Sequence, residues 1–273
     1  LQTMAIHPDK ALLPILLGRF YMSRQQKEKA EKAFLDAIKK EPDNVAPYLV
    51  AGKFYETVGN TEEKVKLYQQ VLDLEPQNIM IRQILAESYL KDNALDRAEN
   101  QIAAILETRP GYFPAQLLDI KRLIAAEQYS RALKKCDVLL AEKTNAQQMD
   151  DVYYLKGIAH LNNNDLEKAE ADFLSALEKS PESVTARLML ARVYLKQGLA
   201  GKAYQMNRQI FSVLHKKFDV NLILGQTNLS VQQKQKSLDS FQSLSEFAAV
   251  NPLRYLREGH METLQKQYDK LLE

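Results

Sequence analysis

The side chains best suited to catalysis or metal binding are the four histidines His7, His160, His215 and His260, the lone Cys136, and the adjoining acids Asp150 and Asp151. Chemistry requires such groups to converge. A zinc site wants three or four ligands around one point, and a nucleophile wants a base within hydrogen-bond reach. The spacing argues the other way. No two histidines share a helical metal signature, and neither a glycine-rich phosphate loop nor a nucleophile elbow occurs anywhere along the chain. One cysteine rules out an internal disulfide and most thiolate metal sites, while leaving the compartment open. The expectation is therefore no catalytic residue, no cofactor and no metal. Asp150 and Asp151 read more simply as acids in a first helical turn, where the dipole favours them. His160 reads as a packed core imidazole and Cys136 as a buried, inert thiol. Of the adjoining Tyr153 and Tyr154, one is expected in the core and the other facing outward.

The organisation of the chain accounts for this scatter. Pro8, Pro42, Pro76 and Pro110 stand 34 residues apart, and Pro181 lies two such intervals plus three residues further on. Proline recurring at the period of a helical hairpin marks stacked repeats. Seven copies align, over 11–44, 45–78, 79–112, 113–149, 150–183, 184–217 and 218–251. Residues 1–10 read as the tail of a preceding, truncated repeat, and 252–273 as a closing helix or the start of a further repeat. The four histidines fall in four different units.

Within each copy the residue types repeat by place. Small residues stand at the eighth place (Gly18, Gly52, Ala86, Gly157, Ala191, Gly225) and at the twentieth (Ala30, Ala98, Ala132, Ala169, Ala203). Two helices approach closely only where neither carries bulk at the crossing. Tyr21, Tyr55, Tyr89 and Tyr194 from the first helix, with Phe34, Tyr68, Phe173 and Phe241 from the second, fill the space around it. Gly59, Asn93, Asn164 and Gly198 mark the turns, since they tolerate the left-handed conformation after a helix. Asn44, Asn78 and Ser183 are placed as N-caps. The fourth copy departs from the pattern: Ile120 replaces the small residue, Asp119 stands for leucine, Thr144 stands for proline, and three extra residues fall around 144–148. A local change of curvature is expected there.

Leu17–Gly18, Tyr21, Ala30, Phe34, Ala37 and Pro42 of the first copy, and Tyr153, Gly157, Ala169, Phe173, Ala176 and Pro181 of the fifth, resemble the tetratricopeptide repeat pattern. The resemblance implies an all-α fold, a right-handed α-α superhelix of antiparallel helix hairpins. It also implies a concave face lined by first helices. Carried onto this chain, the fifth places are Ile15, Leu49, Gln83, Leu117, Tyr154, Leu188 and Leu222. The ninth are Arg19, Lys53, Glu87, Lys121, Ile158, Arg192 and Gln226. The twelfth are Met22, Glu56, Leu90, Ile124, Leu161, Leu195 and Leu229. An apolar floor with four basic groups beside it suits an extended or helical peptide bearing apolar anchors and some acids. A second reading stays open, in which the apolar places pack between neighbouring first helices and the cations are simply solvated. The chaperone-tail clamp of the family needs lysine at the fifth place and asparagine at the ninth, and no copy has that pair.

The function expected is a non-enzymatic scaffold that binds a protein or peptide in assembling a larger complex. The style of the array resembles bacterial ones, including envelope proteins of secretion or exopolysaccharide assembly, and an accessory domain of an enzyme is a further alternative. Localisation stays open between cytoplasm and bacterial envelope. RNA reading wants a basic stripe, and 37 basic against 35 acidic residues disfavours it. No apolar run reaches the roughly 18 residues needed to cross a bilayer. An uncapped apolar N-terminal end leaves self-association through that end as an expectation.

Overall fold

The computed structural model describes residues 10–142 and 148–208. The copy beginning at Phe218, the closing helix at 252–273 and groove positions Leu222 and Gln226 lie outside the described residues, as does most of the insertion in the fourth copy. Twelve α-helices and no strand occur among the described residues. Contacts divide the chain between Ala126 and Glu127 into two compact units.

In the first unit α1 (Leu12–Ser23) pairs with α2 (Lys27–Lys40), α3 (Val45–Val58) with α4 (Thr61–Leu74), and α5 (Ile79–Lys91) with α6 (Leu95–Thr108). Each second helix also packs on the next first helix, ending with α6 on α7 (Phe113–Ala125). In the second unit α8 (Tyr129–Glu142) packs on α9 (Met149–Asn162), which pairs with α10 (Leu166–Lys179). Then α10 packs on α11 (Val184–Lys196), paired in turn with α12 (Ala200–Arg208).

Close approach within a hairpin depends on the eighth place. A Cβ added to Gly18 would lie 2.4 Å from the Phe34 ring, at Gly52 2.3 Å from Tyr68, and at Gly157 2.7 Å from Phe173. The aromatic ring of the second helix thus occupies the space that a side chain on the first would need. The third copy reaches the same end by a different division of volume, with Ala86 and Ile102 at those places, 0% and 2% exposed. At the twentieth place Ala30, Ala98, Ala132, Ala169 and Ala203 are all fully buried. An Ala169→Leu chain should therefore lose about 1–3 kcal/mol through overpacking. Thermal unfolding followed by circular dichroism measures this, and an unchanged midpoint would mean that the helices do not cross at Ala169.

Turns and caps follow from local chemistry. The fifteenth place adopts positive φ in the six described copies, at Gly59 (80°), Asn93 (54°), Asn164 (63°) and Gly198 (77°), and also at Gln25 and Glu127 (both 58°). The last two escaped the sequence reading because their types rarely enter this region. The Asn44 side chain accepts from the Ala46 amide, Asn78 from Ile81 and Ser183 from Ala186, so the three expected caps operate; Asn60 caps α4 in the same way. The recurring proline sits two residues past α2, α4, α6 and α10, where it blocks continuation. Its carbonyl is held by the fourth place of the following helix. Tyr48 Oη donates to Pro42 O at 2.9 Å, Arg82 Nε to Pro76 O at 3.0 Å and Gln116 Nε2 to Pro110 O at 3.1 Å. Arg187 donates to Pro181 O as well.

Candidate functional site

The first helices carry the groove positions, and the two units treat them differently. In the first unit Ile15, Leu49, Gln83 and Leu117 are half-buried, while Arg19, Lys53, Glu87 and Lys121 are exposed one helical turn further along. Spacing of four residues puts each pair on one face of its helix. Among the twelfth places Met22 and Leu90 are half-buried, Ile124 is buried and Glu56 is exposed. In the second unit Tyr154 and Ile158 pack against a cluster that contains Leu188 and Leu161. Tyr154 also leans on Phe173, with ring centroids 5.9 Å apart. Packing between neighbouring first helices thus takes up most of the apolar positions in that unit, and Arg192 stays exposed beside them.

The first unit leaves an opening. Between α1 and α3 lies a cleft of about 350 Å³ lined by Arg19, Met22, Phe34, Leu49, Val50, Lys53, Phe54 and Thr57. It brings together four of the expected residues, Arg19, Met22, Leu49 and Lys53. Phe34 and Phe54, 5.5 Å apart between ring centroids, form its base. Lys53 pairs with Glu56 at 2.5 Å, and that hydrogen bond holds the Glu56 carboxyl below its usual range. Arg19, Lys121 and Arg192 make no side-chain ion pair or hydrogen bond among the described residues. Gln83 is engaged already: it donates to Glu87 at 3.0 Å and accepts from Tyr112 Oη at 3.0 Å.

Of the residues with catalytic potential, His160 and Cys136 are enclosed, Asp150 is half-buried and Asp151 exposed, while His7, His215 and His260 lie outside the described residues. His160 is 7% exposed, and its Nδ1 lies 2.6 Å from Asp172 Oδ2. Lys156 stands 2.8 Å from Asp137 and 4.0 Å from the other Asp172 oxygen. Burial pushes the Asp172 carboxyl up, against the opposing pull of His160 and Lys156. Burial also pushes the Cys136 thiol up to about 12, leaving no thiolate at neutral pH. The imidazole is in the core as expected, with a carboxylate partner that the sequence reading did not assign. Its signal was Asp172 itself, an acid one residue before the core Phe173. Asp150 and Asp151 lie in the first turn of α9, and Asp150 accepts a hydrogen bond from Ser180 Oγ at 2.5 Å. Among the described residues no group of three or more His, Cys, Asp or Glu side chains is placed to hold a metal ion.

Two other buried polar contacts were also missed. Lys64 takes the twentieth place of the second copy, where alanine is usual, and donates to Ser88 Oγ at 2.8 Å. Arg122 is 5% exposed and pairs with Asp119 at 2.8 Å and Glu99 at 3.3 Å. Asp119, which departs from the leucine expected there, is thereby accommodated.

Comparison with known proteins places this architecture. Two family models, each described as tetratricopeptide repeat, match the chain: one over residues 15–44 and 45–78, the other over 154–208. A solved tetratricopeptide repeat protein from Parabacteroides merdae is 16% identical, with TM-score 0.74, and the alignment covers 97% of this chain and 99% of that one. PilW, a type IV pilus biogenesis factor, is 17% identical with TM-score 0.59, covering 78% of this chain and 98% of its own. The Cut9–Hcn1 hetero-tetramer of the APC/C is 14% identical with TM-score 0.59, covering 81% of this chain and 44% of that one. At these identities the likeness concerns the fold.

Proposed function

We propose that this chain, whose repeats match tetratricopeptide repeat models over 15–78 and 154–208, is a non-enzymatic scaffold, holding a protein or peptide partner along its first helices in the assembly of a larger complex. The observation that carries this reading is the cleft between α1 and α3, where an apolar base of Phe34, Leu49, Val50 and Phe54 lies beside the cations Arg19 and Lys53. Its size suits one or two large apolar side chains of a ligand. The unpaired guanidinium of Arg19 wants a carboxylate next to them. Lys121 and Arg192 offer the same to acids elsewhere on the partner. A peptide with apolar anchors and interspersed acids satisfies both demands.

The enclosed thiol and imidazole support the non-enzymatic side, since neither reaches a substrate without local unfolding. Nearly balanced charge withholds the basic stripe that nucleic acid requires. No described helix is long and apolar enough to cross a membrane.

Short fluorescent peptides, each with one leucine or phenylalanine between two acids, provide the test by fluorescence polarisation. Replacing Arg19, Lys53, Lys121 and Arg192 together by alanine should weaken the best binder at least about tenfold, or 1.4 kcal/mol. Added salt should weaken the parent in the same direction. Helicity should be unchanged, because all four side chains are exposed. Equal affinity in parent and variant would remove the basic groove from the account.

A further inference from the structure

The two cations at the rim of the cleft between α1 and α3 are not equivalent. Lys53 is already engaged: its ammonium lies 2.5 Å from Glu56 Oε2, three residues further along α3. Arg19, on α1, makes no side-chain ion pair or hydrogen bond among the described residues. The Lys53 bond holds the Glu56 carboxyl below its usual range, and attraction from Lys64 and Lys91 acts in the same direction. Glu56 is therefore ionised wherever a partner's acids are. Lys64 is 8% exposed and donates to the uncharged Ser88 hydroxyl at 2.8 Å, so Glu56 also balances a charge withdrawn from water.

For a ligand acid the two cations differ in what must be given up. At Arg19 a carboxylate meets an open guanidinium and gains a forked, charge-assisted contact. At Lys53 it must first displace Glu56, exchanging one carboxylate for another on the same ammonium. The resident acid has the advantage, because its short tether keeps it at high effective concentration. Once displaced it would remain close to the incoming acid, and the two like charges would repel. The third copy shows similar self-engagement: Gln83 donates to Glu87 at 3.0 Å and is itself held by Tyr112.

We propose that Glu56 determines specificity at this cleft, by occupying Lys53 so that Arg19 is the cation left open to a partner. The inference rests on the groove reading above and narrows it. The fitting segment carries a single carboxylate next to its apolar anchor, and a second carboxylate on the Lys53 side adds no affinity. Glu56 thereby removes the advantage that a densely acidic segment would otherwise have over one with an isolated acid.

Two fluorescent peptides, capped at both ends, test this by polarisation at low salt, where exposed charges are least screened. One carries phenylalanine followed by a single aspartate, the other phenylalanine between two aspartates. The parent should bind both equally, and Arg19→Ala should weaken both. In Glu56→Gln the two-acid peptide should bind about two- to fivefold more tightly than the one-acid peptide, the range for one exposed ion pair. Adding Lys53→Ala to Glu56→Gln should abolish that preference. Helicity should not change, because Glu56 is exposed and glutamine keeps its shape. A preference for two acids already present in the parent overturns the proposal, as does equal binding of both peptides by Glu56→Gln. If Arg19→Ala binds both as the parent does, or if neither peptide binds parent or variant, the groove reading itself falls and this inference with it.

Discussion

Phe173→Ala should cost the second unit about 3–5 kcal/mol, the range for deleting a fully buried aromatic side chain. Phe173 is 0% exposed, and it fills the space left by Gly157, where even a Cβ would come within 2.7 Å of the ring. Removing the ring leaves two small residues facing each other across the hairpin, with the Tyr154 ring, 5.9 Å away between centroids, losing its neighbour. In a repeat array stability is a sum of local terms, so the loss should fall mainly on residues 127–208. A single unfolding transition in urea should split, and the helices of the second unit should melt first. The reverse substitution is informative too. Gly157→Ala gains about 1 kcal/mol in helix propensity, yet it should destabilise, because the added methyl collides with Phe173. Pairing it with Phe173→Ile reproduces the Ala86 and Ile102 arrangement of the third copy and should restore most of the loss. If Gly157→Ala alone were stabilising, the ring would not occupy the site described.

Asp172→Ala should be the second most costly single change, about 3 kcal/mol at neutral pH. The carboxylate is the only hydrogen-bond partner described for His160 Nδ1, in a site that is 7% exposed. Its loss leaves that nitrogen and part of the Lys156 charge without compensation, although Asp137 still holds Lys156 at 2.8 Å. Replacing His160 and Asp172 together by leucine should recover much of the stability, since a buried polar pair is often no better than well-packed hydrocarbon. The pH profile carries a separate signature. Burial raises the Asp172 pKa in the folded state, so the folded chain keeps this proton to higher pH than the unfolded chain does. The associated stability is fully present below the ordinary carboxylate range and is lost as pH rises through the raised value. Stability curves of parent and Asp172→Ala, measured from pH 4 to 7, should therefore differ in slope, the parent falling more steeply. Parallel curves would mean that Asp172 titrates as it does in the unfolded chain.

The hairpins were legible in the sequence because their determinants are local and repeated. A proline two residues past a helix, glycine opposite an aromatic ring and asparagine at a turn each carry one physical meaning, and recurrence multiplies the signal. What escaped notice was pairwise. Gln25 and Glu127 take the left-handed turn conformation that Gly59 takes without strain, so residue type concealed them. His160 was placed in the core, but its bond to Asp172 depends on side-chain direction, which no spacing rule supplies. Lys64 and Ser88 are a similar case: a lysine among alanines is unremarkable until the hydroxyl that receives it is seen. The groove was legible only as a set of places. How open each place is depends on how far neighbouring first helices close over it. Leu49 borders an open cleft while Leu188, at the equivalent place, is 7% exposed.

The fastening of each proline carbonyl bears on how such a chain can diverge. Tyrosine, arginine, glutamine and again arginine perform the same service at Tyr48, Arg82, Gln116 and Arg187, with nothing in common but reach and a donor at the tip. The junction therefore demands a capability and is indifferent to spelling. Mutation can drift through every residue that meets the demand while the angle between successive hairpins is kept, which is one way for helical arrays to stay superposable long after their letters have ceased to agree.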